Sequence, residues 1–215
     1  SAVATQSVTL QGPLIPLSNP VINTIAGDDI INAAEAQGPL SVSGIAEAGS
    51  IVIVKLGGIT TTAQAGGNGA WTAQLRGVSG LNDGSHDVTA TATLPGRSAS
   101  AAGVHKVTID KTAPGLPSNI KTNGGDTTIS AEEARTGKIT FTGNTPTGAQ
   151  NADTVTVTWN GESKDVGVTN GQWSVDFGSV PPVPAGQPSI NANVTVVAHD
   201  KAGNNSTTAT QAITV

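Results

Sequence analysis

The feature that most limits how this chain can fold is an internal repeat with a spacing of about one hundred residues. Residues 22–36 align without a gap with residues 120–134, and both stretches carry Gly-Asp and, further on, Ala-x-Glu-Ala. The motif Asn-Gly-x-Trp also occurs twice, at residues 68–71 and 170–173. Self-similarity at a fixed period is the signature of repeated structural units. The sequence therefore predicts two homologous domains.

The repeats also set the predicted boundaries. We expect the first repeat at residues 20–111 and the second at residues 112–215. Residues 4–10 resemble the closing residues 209–215 of the second repeat. Residues 1–19 are therefore predicted to be a terminal strand or linker from a preceding repeat, and the chain is expected to be part of a longer array.

The composition favours small β domains and excludes several classes of function. Only five residues are aromatic, so the cores must be built from Val, Ile, Leu and Ala, while 27 Gly and 12 Pro indicate frequent turns. The absence of Cys excludes disulfides and thiolate metal sites. A net charge of −5 argues against nucleic-acid binding, which needs clustered Lys and Arg. No apolar run approaches the roughly 20 residues that cross a bilayer, and no signal peptide is recognisable.

Each repeat shows seven extended segments bounded by turn residues. Alternation of apolar and polar residues is clear in residues 50–56 and 155–159, as in half-buried antiparallel strands. Seven short strands in about ninety residues indicate an all-β fold, a seven-stranded immunoglobulin-like (Ig-like) β-sandwich. Capping boxes at Asn32–Glu35 and Ser130–Glu133 predict a short helical turn between the first two strands of each repeat. In the first repeat the predicted strands are roughly 21–25, 39–45, 50–56, 60–65, 70–75, 86–94 and 99–109.

Acidic residues cluster at positions that sandwich topology would bring to one place. The first loop of a repeat should lie beside the end of its last strand, and the turn between strands six and seven should face the preceding repeat. Carboxylates gathered there would repel one another without a cation, and hard oxygen ligands without Cys or His favour Ca²⁺. We therefore predict an interdomain Ca²⁺ site, with ligands from Asp28, Asp29, Glu35, Asp110, Asp200 and Asn204.

Two further sets of acids are candidates for the same chemistry. A C-terminal half-site is predicted from Asp126, Glu132 and Glu133, and Asp83 is predicted as an additional ligand at the far end of the first repeat. Each of these residues, and each member of the main cluster, has an alternative interpretation as a helix cap or a turn former. The first repeat has Pro95 where the second has an acidic turn. Gln11 stands where the second repeat is preceded by Asp110, so no Ca²⁺ is expected at the upstream junction.

These motifs together resemble the tandem bacterial Ig-like repeats of giant type I-secreted adhesins and biofilm-associated proteins. The resemblance rests on Gly-Asp-Asp-Ile-Ile-Asn-Ala-Ala-Glu at residues 27–35, Asp-Lys-Thr-Ala-Pro at 110–114 and Asp-Lys-Ala-Gly-Asn at 200–204. It implies a non-enzymatic, extracellular stalk on a bacterial cell surface, stiffened by Ca²⁺ at the domain junctions. The implied partners are neighbouring repeats of the same chain, with any host or matrix ligand bound by other regions.

Other motifs are given structural interpretations. Residues Ser85, His86 and Asp87 include the residue types of a hydrolase triad, but neighbours on a strand point to opposite faces and cannot form a relay. His86 is expected at a sandwich corner, where related folds place a Tyr. Trp71 and Trp173 occupy matched positions, which favours packing over sugar stacking. Two alternatives stay open: a carbohydrate- or protein-binding module, and an accessory domain of a secreted polysaccharide-active enzyme.

Overall fold

The structure, a computed structural model, describes residues 14–123, 125–148 and 150–215. Its contacts divide the chain into two compact units. The first unit comprises residues 35–109 and those before residue 32; the second comprises residues 110–215 together with the short segment 32–34. The main division falls after Ile109, whereas the sequence prediction placed it after residue 111. The predicted terminal strand at residues 1–19 lies mostly outside the described residues.

The first unit is a sandwich of two sheets. Its strands in chain order are β1 (Val21–Ile22), β2 (Ile30–Ile31), β3 (Leu40–Ile45), β4 (Ile51–Leu56), β5 (Ile59–Gln64), β6 (Ala70–Leu75), β7 (Gly84–Thr93) and β8 (Gly103–Ile109). One sheet has the order β1-β3-β6 and the other β2-β8-β7-β4-β5. All pairings are antiparallel except that of β2 with β8, which is parallel.

The second unit repeats this plan with one strand fewer. Its strands are β9 (Ser118–Lys121), β10 (Ile139–Asn144), β11 (Thr154–Trp159), β12 (Glu162–Gly167), β13 (Gln172–Phe177), β14 (Asn191–His199) and β15 (Ala209–Thr214). They form a three-stranded sheet of order β13-β10-β9 and a four-stranded sheet of order β12-β11-β14-β15. A single parallel bridge between Thr128 and Thr214 takes the place of the β2–β8 pairing.

The predicted fold class, two tandem Ig-like sandwiches, is confirmed, but the strand count differs in the first unit. Ile30 and Ile31 form the additional strand β2, which pairs with the end of β8. The alternation rule missed it because two adjacent Ile residues show no period-two pattern. Short helices follow: α1 (Ala33–Gln37) comes after β2, and α2 (Ala131–Thr136) lies between β9 and β10.

The ends of these helices are stabilised by the side chains that precede them. At α2 the capping box is complete, because Ser130 Oγ accepts a hydrogen bond from Glu133 N (3.2 Å) and Glu133 Oε2 accepts one from Ser130 N (2.8 Å). At α1, Asn32 Oδ1 accepts a hydrogen bond from Ala34 N at 2.9 Å. Side-chain oxygens of this kind satisfy backbone N–H groups that have no partner inside the helix.

Each core contains a tryptophan lying against a glycine of the neighbouring strand. Trp71 is opposite Gly44 and Trp173 is opposite Gly143, and the two indoles are only 3% and 4% exposed. A Cβ built on Gly143 would lie 2.3 Å from Cζ2 of Trp173, so only glycine admits the ring at that distance. The packing role predicted for the matched tryptophans is therefore confirmed.

The two cores differ in the residues that close them. In the second unit, Phe141 packs between Trp159 (ring centroids 5.0 Å apart) and Phe177 (5.9 Å). Trp159 Nε1 donates a hydrogen bond to the Ser179 carbonyl at 2.9 Å, which satisfies its one polar group. The strand register places aliphatic residues at the equivalent positions of the first unit, namely Val42, Leu56 and Leu75.

Candidate metal-binding residues

The first acidic pair, Asp28 and Asp29, forms the turn that leads into β2. Asp29 adopts a left-handed backbone (φ 65°), and its Oδ1 accepts a hydrogen bond from Ile25 N at 2.8 Å. Asp28 Oδ1 accepts one from Ile30 N at 3.0 Å. Asp and Asn tolerate this conformation because their short side chains bond to the local backbone. Both carboxylates therefore act as turn formers through one oxygen.

A histidine that sequence reasoning did not connect with this turn also contacts Asp29. His105 Nε2 on β8 lies 2.7 Å from Asp29 Oδ1. The hydrogen bond from Ile25 N lowers the pKa of Asp29, and His105 adds to this effect. The expectation that His would be absent from this region is therefore wrong for the first unit. The signal was weak in the sequence, because the two residues are 76 positions apart.

Two more candidates of the first unit are Asp83, near the end of β8, and Glu35, on α1. Asp83 directly precedes Gly84, which is opposite Ile109 in the β7–β8 ladder. Ile109 also pairs with Ile31, so the backbone of β2 lies at the same end. Glu35 lies in the first turn of α1 and is half-buried. The predicted placement of the first loop beside the last strand's end agrees with this register.

In the second unit, Asp200 and Asn204 organise the turn between β14 and β15. Asp200 Oδ1 accepts a hydrogen bond from Asn204 N (2.8 Å), and Asp200 Oδ2 accepts one from Asn204 Nδ2 (3.0 Å). The backbone closes the same turn, because Gly203 N donates to Asp200 O at 3.1 Å. Gly203 has φ 86°, a conformation that glycine adopts readily.

Asn204 also bonds to two other parts of the second unit, the short segment 32–34 and the residue that begins its main part, Asp110. Its Nδ2 donates to the Asp110 carbonyl at 2.9 Å, and its Oδ1 accepts from Ala33 N at 2.8 Å. Asn32 Nδ2 donates to the Ala202 carbonyl at 3.1 Å. Asn204 is only 6% exposed, so its amide is committed to these bonds. Three of the predicted residues, Asp110, Asp200 and Asn204, are thus joined by direct hydrogen bonds.

The predicted C-terminal half-site is built mainly from residues with local partners. Asp126 Oδ1 accepts hydrogen bonds from Thr128 N (2.9 Å) and Thr122 Oγ1 (3.0 Å), and these bonds lower its pKa. Glu133 belongs to the α2 capping box, and Glu132 pairs with Arg135 at 3.4 Å on the exposed face of the helix. The structure does not bring these three acids together as a cluster.

A search of the described residues finds no group of three or more His, Cys, Asp or Glu side chains placed to hold a metal ion. What the structure supplies is the oxygen chemistry that Ca²⁺ prefers, in the carboxylates and the Asp110 backbone carbonyl, while the Asn204 amide is already engaged in hydrogen bonds. At both Asp28 and Asp29, hydrogen bonds from described residues reach only Oδ1. The donor set therefore fits Ca²⁺ in kind, while the Ca²⁺ site itself stays a prediction.

The turn in the first unit that corresponds to residues 199–205 is built differently. Arg97 Nε donates to the Ile15 carbonyl (2.9 Å) and Arg97 Nη2 to the Pro16 carbonyl (3.2 Å). Ser98 Oγ donates to the Leu14 carbonyl at 3.2 Å. A guanidinium thus binds the preceding segment directly. Gln11, which stands in the sequence where the second repeat has Asp110, lies outside the described residues.

The residues that suggested a hydrolase triad have separate partners. His86 Nε2 lies 2.8 Å from the Asn82 carbonyl, four residues upstream, which is the pattern of a sandwich corner residue. Asp87 pairs with Lys106 at 3.1 Å across the β7–β8 ladder. Among the residues described, no helix is both long enough and apolar enough to cross a membrane.

Comparison with known proteins gives structural neighbours only. No protein-family model matches the sequence, and no curated protein matches it. The structure is similar to that of a Ca²⁺-stabilised adhesin of an Antarctic bacterium that binds ice, with a TM-score of 0.54 and 27% identity over 94% of this chain and 49% of that one. A 1.5-MDa bacterial ice-binding adhesin gives a TM-score of 0.53 at 24% identity, over 95% of this chain and 65% of that one.

The chain thus spans about half of the length of the first adhesin structure and about two thirds of the second. The fibronectin(III)-like modules of CbhA from Clostridium thermocellum are similar at a TM-score of 0.52 and 17% identity, over 91% of this chain and 94% of that one, which concerns the fold alone. The resemblance to the Ig-like repeats of large bacterial adhesins is confirmed.

Proposed function

We propose that this chain is a pair of non-enzymatic spacer repeats from a bacterial cell-surface adhesin, stiffened by Ca²⁺ bound around the linker between the repeats. The similarity to a Ca²⁺-stabilised adhesin supports the adhesin part of this proposal. The repeats would hold a distal binding region away from the cell, in adhesion or biofilm formation. The protein would then be extracellular, with neighbouring repeats as its immediate partners.

The observation that carries the Ca²⁺ part is the hydrogen-bonded turn of the second unit. Asn204 holds the Asp110 carbonyl and the Asp200 carboxylate in fixed positions through one buried amide. We propose that Asn204 acts as a positioning residue and that Asp110 and Asp200 supply ligand oxygens. Asp28, Asp29 and Glu35 would complete the set, since Ca²⁺ takes six to eight oxygens and accepts irregular geometry.

The buried tryptophans argue against the carbohydrate-binding alternative. Stacking on a sugar needs an exposed ring face, and Trp71 and Trp173 are 3% and 4% exposed. Trp159 is 1% exposed, and Phe141 and Phe177 are equally enclosed. All five aromatic residues are therefore committed to the two cores.

The first test is thermal unfolding in EDTA, then in 1 mM Ca²⁺ and in 1 mM Mg²⁺. If the site binds Ca²⁺ with a Kd on the order of 10 μM, linkage predicts about 2.7 kcal/mol of stabilisation at a hundredfold excess over Kd. A shift with Ca²⁺ that Mg²⁺ does not reproduce supports the proposal. The absence of any shift would mean that the acids serve only as caps and turn formers.

Two variants separate this site from adventitious binding. Asp200→Asn keeps an oxygen for the hydrogen bond from Asn204 N but removes the charge and the acceptor for Asn204 Nδ2. The Ca²⁺-dependent shift should be lost, and circular dichroism in EDTA checks that the variant is folded. Asp87→Asn is the matched control, because Asp87 pairs with Lys106 on the exposed face of β7 and β8. Equal loss in both variants, or in neither, would contradict the assignment.

Stiffening is measured separately by small-angle scattering. The Ca²⁺-loaded protein should scatter as a less flexible pair of domains than the EDTA-treated protein, and Asp110→Asn should scatter as the EDTA-treated form does. Unchanged flexibility on removal of Ca²⁺ would refute stiffening even if the ion binds.

A further inference from the structure

The two edges of the five-stranded sheet in the first unit differ in their strand pairing. At one edge, β2 pairs with β8 and covers it. At the other edge, β5 pairs only with β4 among the described residues. Strand β6 of the facing sheet lies close to β5, but within the described part of the chain no strand is hydrogen-bonded to this edge. Such an edge presents a row of N–H and C=O groups that can pair with another strand.

The sequence of β5 lacks the features that usually protect such an edge. It reads Ile-Thr-Thr-Thr-Ala-Gln, with no charged residue and no proline. The corresponding edge strand of the second unit, β12, reads Glu-Ser-Lys-Asp-Val-Gly. There Lys164 pairs with Glu162 at 3.1 Å, and both charges would have to be desolvated before another strand could pair. The two repeats therefore differ in whether this edge is blocked.

The hairpin that contains β5 shows which backbone groups are available. Gly57 and Gly58 form a two-residue turn, with Leu56 opposite Ile59. In such a hairpin the residues that flank the turn exchange hydrogen bonds, and every second pair after them does the same. Ile59, Thr61 and Ala63 therefore bond to β4. The N–H and C=O groups of the alternate residues, Thr60, Thr62 and Gln64, point to the open edge.

We propose that β5 is a docking edge for β5 of a second copy of this chain, paired antiparallel about a two-fold axis. Placing Thr61 opposite Thr61 of the second copy puts Thr60 opposite Thr62. The groups that face outward then bond to each other, and paired side chains share a face, as an antiparallel sheet requires.

The second copy is the favoured occupant because this strand is self-complementary. In the two-fold register every pair is neutral: Thr60 meets Thr62, and Ile59 meets Ala63. No charge of β5 is buried or repelled, although the chain as a whole carries a net charge of −5. In the adjacent strand the nearest charge is Lys55, which is opposite Thr60 and exposed. This inference is independent of the proposed adhesin role.

One strand pair buries little area, so the association is expected to be weak and transient. Covalent trapping is the suitable measurement, and the chain contains no cysteine that would interfere. Opposite residues that do not exchange hydrogen bonds have Cα atoms about 4.5 Å apart, which is within the range for a disulfide. Thr61→Cys in the intact two-unit chain is therefore the diagnostic variant.

Oxidation of Thr61→Cys by oxidised glutathione should give a disulfide-linked dimer, followed on non-reducing gels. Docking raises the effective thiol concentration, so the rate of disulfide formation by Thr61→Cys should exceed that of the control variants by about tenfold or more. The controls are Thr60→Cys, which does not meet itself in this register, and Ser163→Cys on β12. Reaction of each thiol with a small reagent corrects for differences in exposure.

Each outcome decides the proposal. Cross-linking of Thr61→Cys no faster than of Ser163→Cys overturns docking at β5. Equal cross-linking at Thr60 and Thr61 indicates parallel pairing and overturns the two-fold register. Adding Thr62→Lys to Thr61→Cys should abolish the acceleration, because each copy would then bring a charged side chain into the neutral edge; retained acceleration would also overturn the proposal. Circular dichroism confirms that each variant is folded.

Discussion

The two units hold the segment that precedes each of them by different chemistry. In the first unit, the Arg97 guanidinium donates to the carbonyls of Ile15 and Pro16. In the second, the neutral amide of Asn204 donates to the Asp110 carbonyl and is itself held by Asp200. The Arg97 guanidinium is itself a cation, so the first turn holds carbonyl oxygens without a metal ion. The second turn contains the Asp200 carboxylate, which can bind a metal ion. Only the second turn is therefore expected to respond to Ca²⁺.

The framework around these turns is the same in both units. Ala92 N donates to Ser100 Oγ at 2.8 Å, and Ala198 N donates to Ser206 Oγ at 2.9 Å. Both serines are buried, at 8% and 9% exposed. At these two turns the units therefore differ in a few side chains on a similar backbone.

The largest effect is expected from making the second core resemble the first. Trp159→Leu introduces the residue found at the equivalent position, Leu56, but leaves Phe141 without its ring contact to Trp159. A cavity and the lost apolar burial should destabilise the second unit by about 3 kcal/mol. Urea unfolding followed by tryptophan fluorescence and circular dichroism measures this. A loss under about 1 kcal/mol would mean that the aromatic layer repacks freely.

The tryptophan–glycine pairs allow a matched substitution in both units. An added Cβ at Gly44 would lie 1.9 Å from the Val21 carbonyl oxygen and 2.6 Å from Trp71, whereas at Gly143 the nearest atoms belong to the Trp173 ring alone. A side chain can shift more easily than backbone, so Gly44→Ala should cost about 2 kcal/mol and Gly143→Ala less. The reverse order in unfolding experiments would show that the β1–β3 pairing is the softer contact.

Alanine substitution of Asn204 and of Arg97, the residues that bind backbone carbonyls of the preceding segment, tests the first comparison. Asn204→Ala leaves the Ala33 N–H and the Asp110 carbonyl without their partner in a largely buried place, and should cost about 1–2 kcal/mol. Arg97→Ala affects bonds on the exposed surface, where water replaces the lost donor, and should cost under about 1 kcal/mol. Equal losses of unfolding free energy in the two variants would mean that the burial of Asn204 does not raise the cost of losing its hydrogen bonds.

The smallest effect concerns pH. Hydrogen bonding from Thr140 Oγ1, together with Lys138, lowers the pKa of Asp176 below its usual value of 3.8. A carboxylate with a lowered folded-state pKa contributes stability above the unfolded pKa, and this stability is lost as pH falls through the folded pKa. Asp176→Gln introduces the residue that the first unit has at this place, Gln74.

The difference in Tm between the wild type and Asp176→Gln should therefore be greatest at pH 5–7 and should shrink below about pH 4, near the unfolded pKa of Asp. A difference that stays constant from pH 7 to pH 3 would show that the residue acts through packing instead of charge. The Tm of the wild-type protein, measured at pH 7 and at pH 3, is the reference.

Much of the fold could be predicted from the sequence because its signals are local. Alternation located β4 and β11, and the Ser130–Glu133 capping box located the start of α2. Strand β2 was missed because its existence depends on a partner, β8, that lies far along the chain. Local patterns do not encode such pairings.

The candidate site shows the same limit. The sequence grouped Asp110, Asp200 and Asn204 with Asp28, Asp29 and Glu35. The hydrogen bonds described above join the first three. The sequence did not reveal that the Asn204 amide would be fully engaged or that His105 would contact Asp29. Both facts depend on residues brought together only by the tertiary fold, and the bound ion itself stays a prediction.

The parallel pairing of β2 with β8 has a mechanical consequence. Ile30 pairs with Thr108 and Ile31 with Ile109, so the strand near the start of the first unit runs alongside the strand that leaves it. Tension that draws these two strands in opposite directions loads their hydrogen bonds in shear, all at once, instead of opening them one after another. The second unit has a single bridge there, between Thr128 and Thr214. Under a pulling force, the first unit should therefore be the later of the two to yield.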